Sequence, residues 1–197
     1  MGGEGLIRTS DLGNTGIKHS LLLHSCCAPC SSSVLERLAD TFDVTVYYYN
    51  PNIYPYAEFE KRAQEQRCFL ERYRLNSNIG YIQPTYDSNE FFNATAGLEN
   101  EPEGGARCIK CYRLRLEATA KYAAENGFYC FTTTLSVSPH KNAAALNDIG
   151  QLLEKEYNLI YVYSDFKKQD GFKRSIELSL EYGLYRQNYC GCIYSKR

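Results

Sequence analysis

The sequence predicts an α/β class domain, a single, mainly parallel sheet flanked by helices in a Rossmann-like arrangement. Two observations carry this. Short strand-like apolar runs alternate with longer helical ones, without an internal repeat. Three motifs rich in Cys, Asn or Ser directly follow predicted strands, where open parallel sheets place their ligands. A chain of 197 residues with 44% hydrophobic content is large enough for one core, so residues 19–197 are expected to form one domain. Residues 1–18 are rich in Gly, Ser, Thr and Asn and lack both periodicity and an apolar signal core. They are expected to be a polar, disordered leader.

Strands are predicted at residues 20–24, 44–49, 81–83, 128–134 and 159–163, each a short run of apolar or β-branched residues. A helix is predicted over 57–74. Asp87, with Glu90 three residues on, caps a short second helix in a pattern similar to a capping box. A third spans 111–126 and ends at Gly127, where a left-handed residue is wanted. Ser138 and Pro139 read as N-cap and first residue of a helix whose apolar stripe is Leu146, Ile149, Leu152 and Leu153. A last helix covers 171–182. The tail from Leu184 is irregular, but its Tyr189-Cys190-Gly191-Cys192 run argues that it returns to the site.

The formal net charge of -1 gives no global attraction to nucleic acid, so a polyanion must be met by local clusters. One cluster is Arg107, Lys110, Arg113 and Arg115; the other is Lys167, Lys168, Lys173 and Arg174. Either also reads as a solvated helix face. Many of the 18 Tyr are expected to pack half-buried, with core packing the default and a few available for stacking on bases. No run of about 18 apolar residues is present, so no membrane span is expected and a cytoplasmic location is.

Nine cysteines in a reducing compartment point to metal binding or catalysis rather than disulfides. Seven are grouped: Cys26, Cys27 and Cys30 in a strand-to-helix loop, Cys108 and Cys111 at a helix start, and Cys190 and Cys192 about a glycine. Helix starts favour the thiolate that a metal requires. Cys68 and Cys130 have no neighbouring partner in sequence and read as small buried apolar residues. A structural zinc takes four ligands and leaves three thiols without a use. An iron-sulfur cluster with four thiolates beside a second metal or reactive thiols uses all seven.

Five blocks, His24-Ser25-Cys26-Cys27-Ala28-Pro29, Asn50 to Pro55, Arg107-Cys108 with Cys111, Thr132 to Leu135 with Ser138-Pro139-His140-Lys141, and Tyr185 to Cys192, together resemble the QueH family of epoxyqueuosine reductases over residues 21–194. The resemblance implies reduction of the epoxide of a modified base in the wobble position of a tRNA anticodon to an alkene. It implies a 4Fe-4S cluster beside a second mononuclear iron, without cobalamin. Some members of that family carry aspartate in place of Cys30. The fold likewise resembles the nucleotide-binding HUP-type families, but cysteines stand where the adenylating tRNA sulfur-inserting enzymes carry a Ser-Gly-Gly-type phosphate loop. A zinc-stabilised RNA-binding module without catalysis is the reading from a different class. Under the leading reading Cys27, Cys108, Cys111 and Cys190 are expected to hold the cluster, and Cys26, Cys30 and Cys192 the second iron. His24 and His140 are candidate proton donors. Lys141, Arg113, Arg115 and Arg186 are candidates for anticodon phosphates, and Tyr54 for stacking on a splayed base. Asn50 and Asn52 are read as fixing a turn. A low-potential electron donor such as ferredoxin or flavodoxin is the expected protein partner.

Overall fold

The computed structural model describes residues 18–73 and 79–195. Residues 1–17 of the expected leader, and Arg74 at the end of the predicted first helix, lie outside the described residues. Among the described residues five strands, β1 (His19–His24), β2 (Phe42–Tyr47), β3 (Gly80–Ile82), β4 (Cys130–Thr133) and β5 (Ile160–Tyr161), pair in the order β3-β2-β1-β4-β5. Every pairing is parallel, with Leu21 of β1 opposite both Val44 of β2 and Cys130 of β4. The helices are α1 (Ala28–Leu38), α2 (Tyr56–Arg72), α3 (Ser88–Ala94), α4 (Ala106–Glu125), α5 (Ala143–Tyr157) and α6 (Gly171–Glu181).

The expected Rossmann-like α/β domain is therefore present. Leu21, Leu22 and Leu23 are all fully buried, as a strand covered on both faces requires. Leu21 and Leu23 pack with Val44, Val46, Leu35 and Phe69 on one face, while Leu22 packs with Phe131, Leu116 and Leu146 on the other. Removing either layer would expose apolar area worth about 25 cal/mol per Å².

Local signals set most boundaries. Asp87 caps α3 by accepting from Asn89 N, but Glu90 accepts from the Tyr49 hydroxyl instead of closing a capping box. Gly127, at φ 70°, follows α4 as expected. Three expectations need correction. Helix α4 starts five residues before Cys111, at Ala106 after an extended Gly105, so Cys108 lies in its first turn. Strand β4 stops at Thr133, whose hydroxyl accepts from Leu135 N and turns the chain into a 3-10 segment, Thr134–Val137. Ser138 and Pro139 belong to the loop after it, and α5 is capped by Asn142, whose side chain accepts from Ala145 N at 3.1 Å.

The chain builds β1, β2 and β3 outward, then returns to place β4 on the free side of β1. Strand order reverses there, and the carboxyl ends of β1 and β4 diverge into a crevice. The loops after β1, β2 and β4 all lead to it.

Candidate metal centre

Strand β1 runs straight into the first cysteines. Cys27 occupies the N-cap of α1 with an extended backbone and makes no side-chain capping bond, so its thiol is not committed to the helix. The sulfurs of Cys26, Cys27 and Cys30 lie within 4.8 Å of one another, a spacing suited to one ion. Cys26 and Cys27 are 3.8 Å apart. Hydrogen bonding from Cys27 and then Cys30 holds the Cys26 thiol well below the usual range, and the same bond pushes Cys27 up to about 12. The three thiols are thus coupled, and Cys26 is held toward the thiolate form that a metal requires.

The other four thiols come from α4 and the tail. Cys108, Cys111, Cys190 and Cys192 line one small cavity. The Gly104 amide donates to the Cys108 sulfur at 3.2 Å. Burial raises the Cys111 thiol, whereas a bond from Cys192 lowers Cys190. The tail is pinned at this point: the Tyr54 amide donates to the Gly191 carbonyl at 2.9 Å, and Arg62 Nη1 donates to the Cys190 carbonyl at 3.2 Å. Gly191 has φ 110°, and a Cβ there would sit 3.0 Å from Arg62 Nη1 and 3.1 Å from Ile53 Cγ1. Only glycine suits both the backbone and the space.

Cations surround the sulfurs. Lys141 Nζ donates to the Cys190 sulfur at 3.1 Å. Burial would depress this ammonium, but Cys190 facing it more than reverses the effect. Arg115 is 1% exposed, bonded weakly to the Cys111 carbonyl and to Asn50 Oδ1, with Nη2 unpartnered. Arg62, 2% exposed, is tied to Glu58 and also has an unpartnered Nη2. Buried cations with idle donors are costly unless an anion completes the site. Seven thiols with this surplus of positive charge fit an anionic metal-sulfur group and exceed what a tetrahedral zinc needs.

Beside the thiols opens a cavity of about 610 Å³ lined by Cys26, Cys30, His140, Lys141, Arg186 and Gln187, with Cys190 shared between the two cavities. His140 is exposed and lines both. His24 does not reach either. It is fully buried, and Nε2 donates to the Tyr49 carbonyl while Nδ1 accepts from Thr133, so both ring nitrogens are engaged. Burial, then the nearby Arg115, lowers its pKa to about 3, which keeps the ring neutral.

The candidate RNA contacts separate. Tyr54 is 42% exposed, with its ring edge-on to Phe92. Arg186 donates to the Ser175 carbonyl and the Ser179 hydroxyl at the wall of the larger cavity. Arg113 is turned outward into ion pairs with Glu117 and Glu156, and lines neither cavity. Arg107 is buried, donating to the Leu98, Glu99 and Glu101 carbonyls. Lys167 and Lys168 both face Asp165, and Arg174 faces Glu36 and Glu177. Cys130 is fully buried as expected, but Cys68 is exposed because it falls on the outer face of α2. Arg62 and the orphaned side chain of Asn52 were not legible as site residues: an arginine four residues after a glutamate reads as a surface pair.

A family model described as Epoxyqueuosine reductase QueH matches residues 21–197. Among curated relatives, proteins named Epoxyqueuosine reductase QueH are similar to the chain. That from Streptococcus pyogenes serotype M1 is 43% identical over 183 residues, covering 92% of this chain and 72% of its own length. The Staphylococcus epidermidis protein is 41% identical over 184 residues, 91% of this chain and 77% of its own. The Thermotoga maritima protein is 35% identical over 176 residues, 89% and 90% respectively.

Proposed function

The chain belongs to the QueH family of epoxyqueuosine reductases, and on that premise we propose that it reduces epoxyqueuosine in the wobble position of a tRNA anticodon to queuosine. The observation that carries this reading is the convergence of seven cysteines, from three distant segments, on one crevice ringed by buried cations. The reaction takes two electrons and two protons and releases the epoxide oxygen as water.

The cofactors proposed are a 4Fe-4S cluster and a second mononuclear iron, with no cobalamin. The mutual closeness of Cys26, Cys27 and Cys30 favours giving the second iron to these three, and Cys108, Cys111, Cys190 and Cys192, around one cavity, then supply four thiolates for the cluster. This moves Cys27 and Cys192 across the division expected from sequence. When bound, the pair of centres supplies single electrons and a Lewis acid for the epoxide oxygen.

The chain's own groups do the rest. Arg115 and Lys141 offset negative charge at the sulfurs, and their burial keeps that field strong. His140 is the proposed proton donor from a ring nitrogen, because it is open to the larger cavity whereas both nitrogens of His24 are occupied. His24 instead braces the ends of β1 and β4. Arg186 and Gln187 line the volume into which a flipped base would fit, and Tyr54 offers a stacking face at the surface. Arg113 is a weaker candidate for phosphate than the exposed Lys110 and Lys173, since its charge is already paired.

The proposed partners are tRNA and a low-potential donor such as ferredoxin or flavodoxin, in the cytoplasm. Among the described residues no helix is long and apolar enough to cross a membrane. The test is anaerobic reconstitution followed by turnover of an epoxyqueuosine-containing anticodon stem-loop with a chemical reductant. Iron above four per chain, bleaching in air and formation of queuosine are expected; a colourless protein holding only zinc overturns the reading. His140→Gln should keep the iron and lose most turnover.

A further inference from the structure

The turn after β2 carries an asparagine that the fold does not use. Asn50 is fully engaged: Nδ2 donates to the Ser25 carbonyl at 2.8 Å and Oδ1 accepts from Arg115. Asn52, two residues on, is 1% exposed, yet neither Nδ2 nor Oδ1 has a partner. Its backbone is not free to turn the amide away, because the Ile53 amide bonds back to the Asn50 carbonyl and the Tyr54 amide to Gly191. The side chain lines the small cavity with Cys108, Cys111, Cys190 and Cys192, not the larger one.

A buried amide lacking partners at both ends is strongly disfavoured, and a leucine of similar size would avoid the loss. The site therefore implies an acceptor for Nδ2. The groups proposed for this cavity, thiolate and sulfide sulfurs, only accept, which selects the NH2 end to face them.

We propose that Asn52 donates an N–H···S hydrogen bond to a sulfur of the metal centre and thereby sets its reduction potential; this rests on the cofactor reading above. Such a bond draws electron density from sulfur and stabilises the reduced, more negative state, so it raises the potential. Asn52 is in this sense a positioning residue for electrons. It differs from Lys141, whose bond to the Cys190 sulfur also carries a full charge, in adding a hydrogen bond without a charge.

The test compares wild type, Asn52→Leu and Asn52→Asp after anaerobic reconstitution. Iron and sulfide are measured first, then the midpoint potential by redox titration followed by electron paramagnetic resonance. Both variants should load as wild type does and show lower potentials, Asn52→Asp the lower of the two because it adds negative charge. A fully loaded Asn52→Leu with an unchanged potential overturns the proposal. Wild-type protein labelled with 15N-asparagine provides a second measurement that needs no variant: the reduced centre should show a weak 15N coupling, and its absence overturns the proposal even if both variants load poorly. Wild type that binds no iron and sulfide defeats the cofactor reading itself, which is a separate result.

Discussion

Gly191→Ala tests whether the tail is held in place by backbone geometry. At φ 110° an alanine is strained by about 1–3 kcal/mol. Its Cβ would also crowd Arg62 Nη1 and Ile53 Cγ1 at 3.0 and 3.1 Å. The arginine end can yield, but only by giving up its bond to the Cys190 carbonyl. Taking about 2 kcal/mol in total, the docked tail is disfavoured roughly thirtyfold relative to its released form. Because Cys190 and Cys192 flank this residue, the loss should appear as metal binding before it appears as global unfolding. Iron and sulfide per chain after reconstitution are the assay, with the thermal midpoint of the metal-free protein alongside. Gly183→Ala is the control: φ is 62° there, the added Cβ meets nothing within 4 Å, and it should keep its iron despite a modest stability loss. Equal iron content in Gly191→Ala and wild type would refute the reasoning.

Other outcomes follow from the same structure. Cys108→Ala or Cys111→Ala should abolish cluster binding, whereas the exposed Cys68→Ala should leave iron and melting temperature unchanged; iron analysis of the three decides. Leu22→Ala, which empties a fully buried position between α4 and β4, should cost about 2–5 kcal/mol by denaturant unfolding, and a loss under 1 kcal/mol would contradict the packing described. For RNA, neutralising Lys110 and Lys173 together should shallow the salt dependence of stem-loop binding by roughly one unit of slope per phosphate lost, while Arg113→Gln should change it little. Equal slopes in all three proteins would mean that neither lysine meets a phosphate.

The sheet and the grouping of thiols were legible because both rest on local pattern. Leu21 to Leu23 form an unbroken apolar run, and seven of the cysteines are already grouped in the sequence. The Asp87 cap and Gly127 were legible for the same reason. What escaped depended on neighbours remote in sequence. Arg115 sits in a helix otherwise rich in surface charge, and nothing local says that it turns inward to the sulfurs. The start of α5 is not legible because Ser138 and Pro139 make a plausible cap, while the true one, Asn142, is preceded by a loop that lines the crevice. Residue type alone suggests a buried Cys68, but it does not say which face of α2 is outward.

The crevice also has an order in time. Its sulfurs are synthesised as Cys26, Cys27 and Cys30, later Cys108 and Cys111, and last Cys190 and Cys192. At 5–20 residues per second the ribosome separates the first from the last by on the order of ten seconds. Strand β1 has only β2 beside it until Cys130 to Thr133 arrive on its other side. For that interval the early triad lacks Lys141 and the tail cysteines that complete the crevice. Under the proposed cofactor reading, the complete centre would load only after the tail docks on Tyr54 and Arg62, when the domain is nearly finished.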